Sequence, residues 1–168
     1  MWVHGGGYHV GDKANQMRDK VALFDAKGWI LVSINYRLTV EAKPSSAHFP
    51  DHYHDVAAAA AWVHGNIARY GGDPNRTALL GHSAGADIVA NVADNPTYLK
   101  SYGLTPAVLD CAGPLDTEGF DKVAATRART GTIDAGGLSH AEVNTKIGAT
   151  DDTVMTAPLI RFLTTCFR

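Results

Sequence analysis

The sequence lacks a strong excess of charge of either sign. It carries 15 Lys and Arg against 17 Asp and Glu, a formal net charge of −2, so there is no electrostatic case for nucleic acid or an acidic membrane surface as a partner. No apolar run approaches the length of a transmembrane helix, and the first residues lack the basic and apolar regions of a secretory signal. These absences argue against membrane and nucleic-acid functions and favour a cytoplasmic location.

Cysteine is scarce as well. The two cysteines, Cys111 and Cys166, belong to no CxxC motif and to no Cys/His cluster of the kind that binds zinc. A single disulfide is one alternative, but free cysteines are among the most often buried residues, and disulfides need an oxidising compartment. The prediction is therefore two buried free thiols.

Two short motifs suggest a cofactor at first sight, and each fails on its spacing. The segment DHYHD (51–55) places His52 and His54 two residues apart, so that they diverge on a helix, and a surface or capping role is predicted for them. The segment GGGYHVG (5–11) has Val10 where a dinucleotide-binding loop needs its third glycine. Neither a metal nor an organic cofactor is predicted.

Apolar strand-like runs alternate with helical patterns over the first part of the chain. Strands are predicted at 1–3, 29–36, 77–80 and 107–112, and helices at 15–26, 51–70 and 84–93. This alternation is typical of right-handed crossovers and predicts an α/β fold with a parallel sheet in one domain, 1–168. Within that domain a core is predicted at 1–116, a polar, cap-like excursion at 117–152 and a C-terminal segment at 153–168.

Residues 81–85 read GHSAG, a G-x-S-x-G motif with a predicted strand before it and an Ala-rich helix after it. That strand–turn–helix context is what a nucleophile elbow requires. Gly81 and Gly85 let the tight turn fit between the strand and the helix, and Ser83 is predicted at its tip. The backbone N–H of Ala84, at the start of the helix, then points at a developing oxyanion.

A second motif, HGGG at residues 4–7, predicts the rest of an oxyanion hole. Glycines leave backbone amides unobstructed, so the chain can approach a tetrahedral intermediate closely. The candidate donors are Gly6 and Gly7, together with Ala84. His4 is predicted to pin the loop by hydrogen bonds rather than to act as a base, because a base must approach Ser83 from the opposite side.

Together these motifs resemble the α/β-hydrolases, and in particular the branch of hormone-sensitive-lipase-like carboxylesterases and bacterial kynurenine-formamidase-like enzymes. The resemblance covers most of residues 1–116. Its motifs are His4-Gly-Gly-Gly7, Ser33-Ile-Asn-Tyr-Arg-Leu38, Phe49-Pro50 with Asp55, Gly71-Gly-Asp-Pro74 and Gly81-His-Ser-Ala-Gly85.

The resemblance implies a serine hydrolase that cleaves carboxylic esters through an acyl-enzyme on Ser83, without a metal or organic cofactor. An amidase or formamidase would use the same residues. The family's sheet begins with two strands before the glycine loop, and its acid and histidine follow the last two strands. By that alignment the sequence resembles a central portion of a larger hydrolase, so a non-catalytic fragment is a further alternative.

The sequence offers one candidate acid and one candidate histidine for a triad. The order Ser, acid, His permits Ser83, Asp116 and His140, but the surroundings of His140 (GLSHAE) do not resemble a family histidine loop. A solvated loop histidine is the favoured reading of His140. If strands are missing at both edges of the sheet, homo-oligomers or edge-to-edge association are expected, with residues 158–167 as the segment that docks on a partner.

Overall fold

The structure is a computed structural model that describes residues 1–116, 133 and 135–167. Its centre is a parallel four-stranded sheet in the order β2-β1-β3-β4. The strands are β1 (Trp2–Val3), β2 (Ser33–Ile34), β3 (Ala78–His82) and β4 (Cys111–Leu115). The helices are α1 (Arg18–Asp25), α2 (Asp51–Asn66), α3 (Ala84–Asp94), α4 (Pro96–Lys100), α5 (His140–Thr145) and α6 (Thr156–Cys166). The predicted α/β fold is confirmed.

Side-chain alternation along the strands divides the core into two layers. In β1, Trp2 enters the cluster on one face of the sheet and Val3 the cluster on the other, as expected from the two-residue period of a strand. The cluster around Val3 contains the buried sides of α2 and α3, whereas Trp2 packs with residues of α1, α5 and α6. The sheet is thus covered by helices on both faces.

Two predicted strands differ from the observed ones. Of residues 29–36, only Ser33–Ile34 forms a ladder, because β1, its partner in the described part of the chain, supplies two residues. The run 107–112 begins instead with a 3₁₀ turn at Pro106–Val108, and the strand starts at Cys111. Proline favours such a turn because its φ is fixed and it lacks an N–H donor.

The prediction of two free thiols is wrong, since Cys111 and Cys166 form a disulfide. The bond ties the last residue of α6 to the first residue of β4. Leu159 and Leu163, on the same helix, are each 1% exposed. The apolar stretch 158–167, expected to dock on a partner, therefore packs on the sheet of its own chain.

The predicted polar excursion, 117–152, is described in its second half only; residues 117–132 and 134 lie outside the described residues. Ser139 and Glu142 form a reciprocal capping box at the start of α5, which supplies partners for backbone donors of the first turn. Val143 and Ile147 are buried in the core. Among the helices described, none is both long enough and apolar enough to cross a membrane.

Candidate active site

Ser83 lies between β3 and α3, at the carboxyl end of the sheet. Its backbone has φ 57° and ψ −123°, a conformation that costs an L-residue free energy and persists only where the surroundings enforce it. The side chain is half-buried and makes no hydrogen bond with any described residue. This is the strand–turn–helix geometry predicted for residues 81–85.

The two glycines of the motif are required by close backbone contacts. A Cβ on Gly81 would lie 2.4 Å from the carbonyl oxygen of Gly85, and a Cβ on Gly85 would lie 2.4 Å from that of Val3. Real Cβ atoms do not approach backbone oxygens so closely, so a larger residue would push α3 away from the strands. The absence of side chains lets α3 begin directly against β1 and β3.

The glycine loop lies against Ser83. A Cβ on Gly5 would be 3.0 Å from the Cβ of Ser83. Gly6 (φ 117°) and Gly7 (φ 58°) turn the chain, and the carbonyl of Gly6 accepts hydrogen bonds from the next turn, at His9 and Val10. Among the described residues, none accepts a hydrogen bond from the amides of Gly6, Gly7 and Ala84.

His4 holds the loop, as expected from the sequence. Its Nδ1 is 2.7 Å from the carbonyl oxygen of Gly5, and its ring stacks on Tyr36 with 4.4 Å between ring centroids. The Tyr36 hydroxyl donates to the His4 carbonyl at 3.1 Å. Only 5% of His4 is exposed, which leaves little room for it to exchange protons with a substrate.

A carboxylate clamp, not anticipated from the sequence, joins the loop to the elbow helix. Tyr8 and Tyr53 donate to the same Oδ2 atom of Asp87, at 2.7 and 2.5 Å. Burial and the hydrogen bond to Asp87 raise the pKa of Tyr8, and the same causes raise that of Tyr53 to about 12. Both hydroxyls therefore remain donors at neutral pH, and the clamp fixes the residue after Gly7 relative to α3.

The structure also brings Asp116 and His140 together. The Nδ1 atom of His140 lies 2.6 Å from Oδ2 of Asp116. His82, the neighbour of Ser83, contacts the same residue: its Nε2 is 2.7 Å from the His140 carbonyl oxygen and the two rings are 4.6 Å apart. Burial lowers the pKa of His82, so its neutral ring can donate from Nε2 to that carbonyl. The side chain of His140 is 58% exposed, as expected of a solvated histidine, but the residue begins α5 instead of lying in a loop, and its ring is paired with Asp116.

The ligating atoms of His82, Asp116 and His140 lie within 4.8 Å of one another, the one such group found in the described part of the chain. The short hydrogen bond between His140 and Asp116 already pairs two of the three. The segment DHYHD (51–55) does not form such a cluster of possible metal ligands. The predicted surface position of His52 is wrong, since only 3% of the residue is exposed. Its Nε2 atom lies 3.1 Å from the Thr39 hydroxyl.

Two cavities flank the sheet. One, of about 160 Å³, borders Asp116 and has mostly apolar walls that include Leu115 and Leu159. The other, of about 280 Å³, is lined by Met1 and Thr77 among others. These two residues precede β1 and β3, so the larger cavity lies at the amino ends of the strands, away from Ser83.

A parallel sheet covered on both faces, with a strained serine between strand and helix and a glycine loop beside it, defines an α/β-hydrolase. The chain belongs to the BD-FAE family, which matches residues 1–144.

Its relatives are esterases. Carboxylesterase 3B of Mus musculus is 39% identical over 100 residues, which cover 57% of this chain and 17% of the mouse protein. Esterase LipQ of Mycobacterium tuberculosis is 35% identical over 115 residues, 67% of this chain and 26% of LipQ. Among solved structures, a bacterial heroin esterase superposes with a TM-score of 0.53 at 27% identity, covering 66% of this chain and 32% of that one. The chain spans about a third or less of the length of each.

Proposed function

We propose that this chain hydrolyses carboxylic esters, with Ser83 as the nucleophile. The observation that carries the proposal is the strained turn at Ser83, beside a glycine loop in which the amides of Gly6 and Gly7 donate to no other described residue. Membership of the BD-FAE family and the esterase relatives support the same reaction.

In the proposed reaction, Ser83 Oγ attacks the acyl carbon, the alcohol leaves, and water then hydrolyses the acyl-enzyme. The amides of Gly6, Gly7 and Ala84 stabilise the oxyanion of each tetrahedral intermediate. Ala84 adds the favourable dipole of the α3 N-terminus, and such preorganised donors supply a large share of the rate in acyl transfer. Amides and formamides would need the same groups, and the acyl pocket would decide between the substrates.

The test compares the rate at which the full parent chain hydrolyses p-nitrophenyl acetate with the rate of the Ser83→Ala variant. Ser83→Ala should reduce turnover to the assay background, because loss of the nucleophile alone removes about as much rate as loss of a whole triad. Ser101→Ala, at an exposed serine, is the matched control and should match the parent.

Undiminished turnover by Ser83→Ala would contradict the proposal. A parent chain that neither turns over the ester nor reacts with a fluorophosphonate would favour the non-catalytic alternative. A parallel assay with p-nitroacetanilide separates amidase from esterase preference.

A further inference from the structure

Three side chains that can bind a metal ion meet at the carboxyl end of the sheet. His82 ends β3 and pairs with Leu115, which ends β4, so Asp116 follows at the same edge. His140, the first residue of α5, reaches this edge from a distant part of the chain. One potential ligand atom from each of His82, Asp116 and His140 lies within 4.8 Å of the other two. The topology thus gathers two imidazoles and a carboxylate at one place.

The spacing of these atoms is close to that of ligands around one ion. Nitrogen and oxygen ligands lie about 2.0–2.2 Å from Zn²⁺ in tetrahedral sites, which sets neighbouring ligand atoms about 3–4 Å apart. Here Nδ1 of His140 is 2.6 Å from Oδ2 of Asp116, and the ring centroids of His82 and His140 are 4.6 Å apart. The side chains of Asp116 and His140 are 38% and 58% exposed, so both have room to adjust to an ion.

His82 supplies the fixed side of the cluster. The residue is 6% exposed, and its Nε2 atom donates to the His140 carbonyl at 2.7 Å. Hydrogen bonds from a ring nitrogen to a backbone carbonyl commonly orient the histidines of metal sites. His140 is held in turn by the capping box of Ser139 and Glu142, which fixes the start of α5. The backbone around two of the three candidate ligands is therefore fixed before any ion binds.

The donor set selects the kind of ion. Two imidazoles and one carboxylate form the ligand set of zinc sites in which water takes the fourth position. Imidazole also suits Cu, Fe and Ni, whereas Mg²⁺ and Ca²⁺ prefer sites built from oxygen ligands. Because this cluster offers a single carboxylate, we expect a transition-metal ion rather than a hard cation.

We infer that His82, Asp116 and His140 form a binding site for a divalent transition-metal ion of the zinc class, with solvent water completing the coordination. The ion lies among the three ligand atoms and replaces the hydrogen bond between His140 and Asp116. It ties the ends of β3 and β4 to the start of α5, so its binding stabilises the folded chain. The inference concerns ion binding alone and does not depend on ester hydrolysis.

The test is a calorimetric titration of the full chain with ZnCl₂, after treatment with EDTA and dialysis. We expect saturable binding of one Zn²⁺ per chain at this cluster. MgCl₂ in place of ZnCl₂ should give no saturable binding, because the hard cation has too few oxygen ligands here. The melting temperature should rise with Zn²⁺ concentration and return to its starting value when EDTA is added.

Three variants each remove one ligand, namely His82→Gln, Asp116→Asn and His140→Ala. Each should weaken Zn²⁺ affinity by more than about 10–100-fold, which is the usual cost of losing a partner that only supports a metal ligand. His48→Ala is the matched control, since His48 is exposed and contacts the Pro44 carbonyl rather than the cluster. The chain has 8 histidines, so this control separates the cluster from binding by histidines in general. Circular dichroism confirms that each variant is folded.

The outcomes decide between a built site and chance contacts. Loss of affinity in the three ligand variants, with parent affinity in His48→Ala, supports the inference. Equal affinity in His140→Ala, Asp116→Asn and the parent would mean an adventitious ion only, and would overturn it. A parent chain that shows no saturable Zn²⁺ binding would also overturn it, and Mg²⁺ binding as tight as that of Zn²⁺ would contradict the class of ion. None of these results depends on turnover at Ser83.

Discussion

The two halves of the candidate site are built in different ways. The glycine loop and the elbow, residues 4–7 and 81–85, are set by backbone features, namely positive φ angles and close approaches between backbone atoms. Asp116 follows β4, the strand on the other side of Ser83, and its side chain meets that of His140, the first residue of α5. Backbone geometry demands glycine and leaves a motif in the sequence, whereas a contact between two distant side chains leaves none.

The two halves of the candidate site are also stabilised in different ways. The elbow helix α3 packs between the sheet and α2, with Ile88, Val89 and Val92 completely buried. The region that carries His140 continues into α6, which is fastened to β4 by the Cys111–Cys166 disulfide. The first half depends on close packing, and the second depends on a covalent tie. The substitutions Gly85→Ala, Cys166→Ser and Tyr8→Phe each act on one half.

Gly85→Ala should have the largest effect on turnover, because it acts on the packed half where α3 begins against the strands. The new Cβ would meet the carbonyl oxygens of Val3 and His4 at 2.4 and 2.5 Å, which forces α3 and Ser83 to move. We expect esterase turnover to be lost and the free energy of unfolding to fall by about 1–3 kcal/mol or more. Urea denaturation and the p-nitrophenyl acetate assay measure the two effects.

Gly65→Ala is the control for that change. Gly65 lies in α2 with open space where its Cβ would be, and alanine in a helix is more stable than glycine by about 1 kcal/mol. A variant at Gly85 as stable and active as the one at Gly65 would refute the packing argument.

Breaking the disulfide should destabilise the second half. The bond joins residues 55 apart in sequence, and closing a loop of that size in the unfolded chain is worth about 4 kcal/mol in the entropic model. Cys166→Ser should therefore lower the free energy of unfolding by about that amount, and a thiol reductant should do the same to the parent but not to the variant. Equal stability of the reduced and oxidised parent would show that the bond contributes nothing.

Removing a hydroxyl from the carboxylate clamp should have a smaller effect, confined to the first half. Tyr8→Phe deletes the hydrogen bond to Asp87 next to the glycine loop, and a displaced oxyanion loop should lower kcat by about 10–10²-fold. The stability loss should be about 1 kcal/mol. Tyr53→Phe removes a bond to the same oxygen from α2 and should leave kcat near the parent value. Equal kcat losses would mean that the clamp is structural only.

Self-association is the weakest effect that we propose. In the described part of the chain β2 and β4 are the edges of the sheet, and unpaired strand edges favour addition of another strand. Ile30, 46% exposed near β2, adds apolar surface there. Light scattering coupled to size exclusion should show species larger than a monomer that Ile30→Lys reduces. A parent that stays monomeric at high concentration would contradict this proposal.

The comparison of the two halves also explains what the sequence could predict. Ser83 and the glycines around it were predictable because G-x-S-x-G and HGGG encode turns that few other residues can form. Asp116 and His140 were permitted by their order, but their contact depends on the neighbourhood of β3 and β4 and on a helix 24 residues further along. No local pattern carries that information.

The disulfide escaped prediction for a related reason. Two cysteines 55 residues apart give no spacing signal, and only the packing of α6 beside β4 brings them together. The shift of the fourth strand to Cys111–Leu115 reflects the turn at Pro106, whose neighbours are otherwise apolar enough for a strand.

The most direct measurement is the capture of the acyl-enzyme. The full chain is mixed with p-nitrophenyl acetate, quenched in acid within milliseconds to seconds, and digested for peptide mass spectrometry. The account predicts one acetyl group on Ser83 in the parent and none in Ser83→Ala. Turnover without acetylation of Ser83, or acetylation at another residue that persists in Ser83→Ala, would contradict it.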